Sequence, residues 1–182
     1  MNFIPQSIAE VFLIEPVIHK DIRGYFVETF RQELFDKALG YEVCFVQDNE
    51  SKSISRGVLR GLHYQSFPHT QAKLIRVTNG KVLDVAVDIR KNSKTYGEHF
   101  SIELDEDNKT MFYVPPGFAH GFVTREEDTI FAYKCTNYYH KESEGAILWN
   151  SPSLGIDWGV SHPVISAKDE EAQDFSSFKS PF

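Results

Sequence analysis

The chain has 182 residues, which is enough for one domain (residues 1–182) with a substantial buried core. Its 19 Lys and Arg residues stand against 26 Asp and Glu residues, and the formal charge of −7 argues against a general nucleic-acid surface, which would need a basic stripe. No run is long enough to span a membrane and the N-terminus lacks a secretory signal pattern, so we expect a soluble, cytoplasmic protein.

Predicted strands dominate the chain, and one short helix interrupts them. The helix is expected at 32–39, QELFDKAL, with Gly40 as its C-terminal cap. Runs rich in aromatic and β-branched residues predict strands at 24–30, 43–49, 58–65, 73–77, 81–89, 99–104, 110–114, 121–124 and 129–139. Asn79-Gly80 predicts a two-residue hairpin, DEDN at 105–108 predicts a turn, and PPG at 115–117 interrupts strand pairing. Many short antiparallel strands with tight turns predict a sandwich or a closed barrel, and the pattern alone does not choose between them.

The segment from Gly57 to Gly80 has the frame of a metal-binding cupin motif without its metal ligands. In metal-binding cupins this motif runs Gly, five residues, His-x-His, a short gap, Glu, six residues, Gly. Here His63 follows Gly57 at the expected spacing, but Gln65 stands at the second histidine position and Lys73 at the carboxylate position. A metal ligand must offer a lone pair, whereas an ammonium group repels a cation. We therefore expect no metal, and a histidine base beside a lysine cation that suits proton removal next to a carbonyl.

A second motif and several longer runs carry a family resemblance. PPGFAH at 115–120 fits the second cupin signature, Pro-x-Gly-x-x-His. The longer runs are RGYFVETF at 23–30, VQDNESKS at 46–53, LRGLHYQ at 59–65, FAYKCTNYY at 131–139 and SAKD at 166–169. In this order, over nearly the whole chain, they closely resemble the metal-independent dTDP-4-dehydrorhamnose 3,5-epimerase family. The resemblance implies an all-β, cupin-type jelly-roll barrel with a few short peripheral helices, a dTDP-sugar substrate, no cofactor, and a homodimer with exchanged N-terminal strands.

The resemblance also implies four catalytic residues. The implied reaction inverts carbons 3 and 5 on either side of a 4-keto group, so it needs a base, a group that stabilises an enolate, and an acid across the ring. His63 matches the base, and Asp169 matches the carboxylate that orients it and stabilises its imidazolium. Lys73 would face the keto oxygen and stabilise the developing negative charge. Tyr133 matches the general acid.

Further residues match the family's substrate contacts. Arg23 and Glu28 would reach the nucleotide in the partner subunit's site, and Arg60 is placed for the diphosphate. Strand alternation favours Tyr139 over Tyr138 as the aromatic residue that stacks on thymine. The other implied substrate-binding residues are Gln47, Asp48, Asn49, Lys73, His120, Glu144 and Lys168.

Several alternatives stay open on the sequence. A single-position epimerase or a ketoisomerase could use the same base and cation, and the position of the acid would decide among them. A metal-dependent cupin such as a dioxygenase would need ligands that Gln65 and Lys73 do not provide, and a non-catalytic sugar-nucleotide binder would keep the pocket without solvent exchange. His120 fits either a substrate contact or a residue beside the catalytic histidine. Asp84 fits a buried partner of Lys73 or His63, outside the catalytic set.

Overall fold

The computed structural model describes residues 1–182, and strands make up most of its regular structure. The strands are β1 (Asn2–Pro5), β2 (Phe12–Glu15), β3 (Ile18–Asp21), β4 (Gly24–Val27), β5 (Gln47–Ser53), β6 (Leu59–Gln65), β7 (Lys73–Asn79), β8 (Lys81–Asp88), β9 (His99–Asp105), β10 (Met111–Val114), β11 (Phe118–Thr124), β12 (Thr129–Cys135) and β13 (Glu144–Ala146). The helices are α1 (Gln32–Leu39) and α2 (Ala167–Glu170), with 3₁₀ turns at Lys141–Ser143 and Phe175–Ser177. Neither α-helix is long and apolar enough to cross a membrane. The all-β prediction with a few short helices is confirmed.

Two antiparallel sheets pack face to face. The six-stranded sheet has the order β1-β2-β10-β7-β12-β5, and the five-stranded sheet has the order β13-β6-β11-β8-β9. Apolar side chains from both sheets meet in one core, with Ile75 and Phe112 from the first sheet and Val82 and Phe122 from the second. The hairpin of β3 and β4 pairs with neither sheet. This two-sheet arrangement is the one that a jelly roll requires.

Strand alternation decides which side chains face the interior. On β8, Val82 and Ala86 belong to the core between the sheets, whereas Leu83 and Val85 pack on the outer face of the five-stranded sheet under the C-terminal segment. The outer face of the six-stranded sheet is covered by α1 through the fully buried Phe35. Polar side chains on inward-facing positions therefore lie between the two sheets.

The Asn79-Gly80 turn joins the two sheets, so the predicted hairpin is wrong. β7 pairs with β10 and β12, whereas β8 pairs with β9 and β11. Gly80 has a left-handed φ of 78°, and a Cβ atom there would lie 2.5 Å from Thr129 Oγ1. The local sequence predicts the reversal correctly, but the neighbours of each strand come from distant parts of the chain.

The other boundaries differ from prediction mainly in the N-terminal half. α1 covers the predicted residues, and Gly40, with φ of 78°, donates its N–H to the carbonyl of Asp36. The strand predicted at 43–49 begins only at Gln47 and runs to Ser53, because the apolar Val43 that suggested a strand packs into the cluster around α1. The strand predicted at 129–139 ends at Cys135.

Candidate active site

Polar side chains from both sheets and from α2 line a common cavity. Its volume is about 480 Å³, and its lining includes Arg60, His63, Lys73, His120, Tyr133, Lys168 and Asp169. An adjoining cavity shares His63, Lys73 and Tyr133 with the first and extends to Gln47, Asn49, Tyr139 and Glu144. The structure therefore brings the four predicted catalytic residues together with most of the predicted substrate-binding residues.

An irregularity in β6 puts Arg60 and His63 into the same pocket. Residues three apart on a regular strand point to opposite faces of the sheet. Here His63 pairs with His120 and Arg60 pairs with Phe122, so β6 contains one residue more than β11 between the two pairs. Gly61 lies at this bulge with φ of 133°, and a Cβ atom on it would lie 2.5 Å from the Cα atom of β11 that it faces. The extra residue restores a common direction for the two side chains.

His63 and Asp169 form a hydrogen-bonded pair, as the sequence predicts. His63 Nε2 lies 2.6 Å from Asp169 Oδ1, and the backbone N–H of Gly61 donates to Asp169 Oδ2 at 3.3 Å. Burial alone would raise the pKa of Asp169, but the hydrogen bonds from His63 and Gly61 hold it below its usual value. Asp169 is therefore an ionised acceptor, which places the His63 proton on Nε2 and leaves Nδ1 able to accept another.

The backbone around Asp169 explains how α2 reaches the pocket. Val164 forms a parallel bridge with Val58, and the N–H of Leu59 donates to the carbonyl of Val164. Two residues later, the Ser166 hydroxyl caps α2 by accepting the N–H of Asp169 at 3.2 Å. These contacts fix Asp169 against the start of β6, on the side where His63 points inward.

Lys73 and Tyr133 face His63 from the six-stranded sheet. The Lys73 ammonium lies 5.8 Å from the centre of the Tyr133 ring. Burial lowers the pKa of Lys73, and the charges of Asp84 and Glu144 oppose that shift. Burial raises the pKa of Tyr133, so its phenol keeps its proton at neutral pH. The pocket thus holds a protonated phenol and the Lys73 side chain opposite the His63 imidazole.

A second histidine–carboxylate pair lies beside the first. His120 is the cross-strand partner of His63, and its Nε2 lies 2.7 Å from Asp84 Oδ1. Burial lowers the pKa of His120, although the Asp84 charge acts in the opposite direction. Asp84 is completely buried, and its Oδ2 has no hydrogen-bond partner. Asp84 is predicted as a partner of Lys73 or His63, and the signal that could have paired it with His120 is their shared inward direction on adjacent strands.

Three predicted contacts form a network at the mouth of the pocket. The Tyr139 hydroxyl donates to Glu144 Oε2 at 3.0 Å, and Lys168 Nζ lies 2.5 Å from the same oxygen. Burial would raise the pKa of Glu144, but Lys168 and Tyr139 hold it below its usual value. Tyr138 is 65% exposed and does not line the cavity. The side chain of Tyr139 is therefore the one at the mouth, although β12 ends too early for strand alternation to be the reason.

Gln65, at the position of a lost metal ligand, supports this mouth. Its side-chain amide donates to the carbonyls of His69 and Tyr138, and its Oε1 accepts the N–H of His140. In the sequence, Gln65 argues only against metal binding, and no local pattern indicates this supporting contact. No group of three or more His, Cys, Asp or Glu side chains is arranged to hold a metal ion.

Three predicted contacts do not reach the pocket within this chain. Arg23 is exposed at the β3–β4 turn and pairs with Asp21, and Glu28 pairs with Arg31. Asp48 points away from Gln47 and Asn49, because successive strand residues alternate, and it pairs with Lys134 at 2.9 Å. Their roles in substrate binding stay predictions.

Comparison with known proteins agrees with the fold and with the family resemblance of the sequence. The family model described as dTDP-4-dehydrorhamnose 3,5-epimerase matches residues 5–177. The dTDP-4-dehydrorhamnose 3,5-epimerase of Shigella flexneri is 47% identical over 175 residues, which are 96% of this chain and 96% of that protein. The crystal structure of dTDP-6-deoxy-D-glucose-3,5-epimerase from Legionella pneumophila, in complex with dTDP-4-keto-L-rhamnose, is 47% identical with a TM-score of 0.93, over 98% of this chain and 94% of that one. A less similar structure is a 3'-monoepimerase from Streptomyces bikiniensis in complex with dTDP-quinovose, at 35% identity and a TM-score of 0.91 over 96% of this chain and 88% of that one.

The fold and the pocket define a cupin-type jelly roll whose cavity contains a hydrogen-bonded histidine–carboxylate pair. The chain belongs to the dTDP-4-dehydrorhamnose 3,5-epimerase family. The sequence resemblance and the predicted fold class are thereby confirmed.

Proposed function

We propose that this chain is an isomerase that converts dTDP-4-dehydro-6-deoxy-D-glucose into dTDP-4-dehydro-L-rhamnose by inverting carbons 3 and 5. The observation that carries the proposal is the hydrogen-bonded pair of His63 and Asp169 in one cavity with Lys73 and Tyr133. Carbons 3 and 5 both lie next to the 4-keto group, so a single base and a single oxyanion site can serve both inversions. The reaction needs no redox step, and this chemistry is complete with side chains alone.

His63 starts each inversion. Its Nδ1 takes the proton from the carbon next to the keto group, while the Nε2–H stays bonded to Asp169 at 2.6 Å. The electron pair of the broken C–H bond moves into the enolate. The Asp169 carboxylate stabilises the imidazolium that results, in the manner of the acid–base pair in a catalytic triad.

Lys73 stabilises the enolate, and Tyr133 completes the inversion. The Lys73 ammonium faces the keto oxygen, and because Lys73 is buried its charge is screened weakly. Tyr133 donates its phenolic proton to the same carbon from the opposite face, which sets the new configuration. The phenolate then regains a proton from solvent, and His63 releases the one it removed.

Residues around the two cavities would hold the nucleotide. Arg60 and Lys168 supply positive charge for the diphosphate, and Lys168 exchanges its bond to Glu144 for one to phosphate. Tyr139 offers its ring to thymine at the mouth, while Gln47 and Asn49 offer amide groups to the base or sugar. These contacts fix the sugar ring between His63 and Tyr133.

The proposal includes a homodimer with exchanged N-terminal strands. The β3–β4 hairpin belongs to neither sheet and exposes Ile22, Tyr25 and Phe26, the last at 69% of its surface. An isolated two-stranded hairpin is marginally stable in water, so we infer that it packs on a second copy. Exchange would carry Arg23 and Glu28 to the partner's pocket.

We also propose that residues 1–182 form one domain and that the enzyme acts in the cytoplasm.

Solvent exchange tests the proposed function directly. The chain, without added metal, is incubated with dTDP-4-dehydro-6-deoxy-D-glucose in deuterated water, and the product is trapped with a downstream reductase and read by mass spectrometry and NMR. Deuterium at carbons 3 and 5 with the L-configuration is expected, and His63→Ala serves as the matched control that should show no exchange. No exchange in the wild-type chain would overturn the enolate mechanism and favour a non-catalytic binder.

A single-position epimerase is the second candidate. The observation that favours it is the TM-score of 0.91 to the 3'-monoepimerase, because the same fold carries both activities. In the exchange experiment this candidate predicts deuterium at one carbon only. The number of labelled carbons therefore separates the two functions.

A further inference from the structure

Asp84 is a buried carboxylate next to the reacting groups that the mechanism above does not use. It lies on β8 between Val82 and Ala86, which both face the core between the sheets, so its side chain points inward as well. One carboxylate oxygen accepts a hydrogen bond from His120 at 2.7 Å, and the other has no partner. Burying a carboxylate that has one oxygen without a hydrogen bond costs free energy of folding, so the presence of Asp84 requires an explanation.

The surroundings of Asp84 suggest that reason. The cation of Lys73 stands on the facing sheet, and His120 joins Asp84 to the wall of the cavity that Lys73 also lines. Because the carboxylate accepts the Nε2–H of His120, the Nδ1 of that ring is the nitrogen without a proton. A neutral His120 in this form offers an acceptor to a sugar hydroxyl and leaves Lys73 as the donor to the keto oxygen.

We infer that Asp84 is a positioning residue of the reaction, which fixes the proton of His120 on Nε2 and places a buried negative charge on the sheet that faces Lys73. The inference rests on the proposed function and adds a role for a residue outside the catalytic set. Asp84 touches neither substrate nor reacting atom, and it acts through His120 and Lys73.

The groups around Lys73 determine how its pKa responds to loss of the Asp84 charge. The ionisable groups that face it are His63 from β6, Asp84 from β8, His120 from β11, Tyr133 and Cys135 from β12, and Glu144 from β13. Burial lowers the pKa of Lys73, and the Asp84 charge raises it again. Removing that charge lowers the pKa of Lys73 further, so the ammonium loses its proton at a lower pH. Activity on the alkaline side, which needs the cation, then falls at a lower pH.

The test compares the pH dependence of Asp84→Asn with that of a matched variant. Asp88→Asn removes another completely buried carboxylate from β8, but Asp88 is bonded to Arg90, Ser93 and Thr95 outside the pocket. The rate of deuterium incorporation is measured from pH 6 to pH 10 for the wild-type chain and both variants. We expect Asp84→Asn to move the alkaline limb of kcat/KM to lower pH by about one unit, since a nearby opposite charge shifts a pKa by that order. Asp88→Asn should lower the melting temperature and leave the limb in place.

An unmoved alkaline limb in Asp84→Asn would overturn the inference. A second measurement keeps the inference testable where that variant fails to fold. Lysine labelled with ¹³C at Cε reports the titration of Lys73 in the wild-type chain, with Lys73→Arg identifying the signal, and ¹⁵N NMR reports the tautomer of His120. Protonation of His120 on Nε2 alone supports the inference, and protonation on Nδ1 alone contradicts it. Absence of exchange in the wild-type chain would instead reject the proposed function. The NMR measurements do not depend on turnover, so the two failures can be distinguished.

Discussion

The pairing of His63 with Asp169 makes a sharp prediction for Asp169→Asn. The two oxygens of Asp169 accept hydrogen bonds from two different N–H groups, on His63 at 2.6 Å and on Gly61 at 3.3 Å. Asparagine has the same shape but only one acceptor oxygen, so its amide group must face one of the two donors. The substitution therefore removes both the negative charge and one acceptor.

The expected loss follows from those two changes. A hydrogen bond to a charged group contributes about 1.5 to 3 kcal/mol, and Asp169 is only 4% exposed, so solvent screens it little. The charge matters most when His63 becomes an imidazolium, which means that the loss falls on the transition state. At 1.36 kcal/mol for each factor of ten, kcat should fall on the order of 10²-fold. KM should change little, because Asp169 faces His63 and does not bind the substrate in the proposed mechanism.

The assay follows exchange and stability in parallel. Rates of deuterium incorporation at saturating substrate give kcat, and thermal unfolding shows whether the variant still folds. Glu170→Gln is the matched control, because it removes the neighbouring carboxylate of α2 from an exposed position. A variant Asp169→Asn that keeps more than half of the wild-type kcat, or a Glu170→Gln control with the same loss, would refute the assigned role of Asp169.

Three further substitutions test the rest of the site. Tyr133→Phe should impair inversion more than exchange, because His63 can still remove and return a proton on one face. Equal losses of inversion and of deuterium exchange, both measured by NMR, would argue against Tyr133 as the opposite-face acid. Arg60→Ala should weaken dTDP binding by calorimetry by about 1.5 to 3 kcal/mol, the contribution of charged hydrogen bonds, and an unchanged affinity would remove Arg60 from the site. Gly61→Ala and Gly24→Ala both place a side chain at a φ near +130°, but only the Gly61 Cβ would meet a neighbouring strand, at 2.5 Å. Gly61→Ala should therefore be less stable in denaturant unfolding by about a further 1 to 3 kcal/mol, and equal losses would contradict a packing role for this glycine.

Features that depend on a few neighbouring residues could be predicted from the sequence. The helix at 32–39 and its cap at Gly40 follow from local apolar spacing and the ease with which glycine adopts a positive φ. The turn at 105–108 forms because Asp105 accepts the backbone N–H groups of Asp107 and Asn108. In each case the stabilising contacts lie within one turn of the chain, so the local sequence carries the full information.

The motifs also identified most of the side chains that line the pocket. The family resemblance points to His63, Tyr133 and Asp169, the cupin frame points to Lys73, and the structure brings all four to one cavity. The sequence by itself thus identified which residues belong to the candidate site. The pairing of His63 with Asp169, 106 residues away, is implied only by the family resemblance, and no local pattern joins His120 to Asp84, 36 residues away.

Tertiary structure alone decided the strand neighbours and the direction of several side chains. Asn79-Gly80 has the composition of a hairpin, yet β7 and β8 lie in different sheets because each finds its neighbours in distant segments. Arg60 and His63 share a pocket only because β6 carries one extra residue opposite β11. The physical reason is that a strand satisfies its backbone hydrogen bonds through other strands, so its register and its inward face are set by partners that the local sequence does not contain.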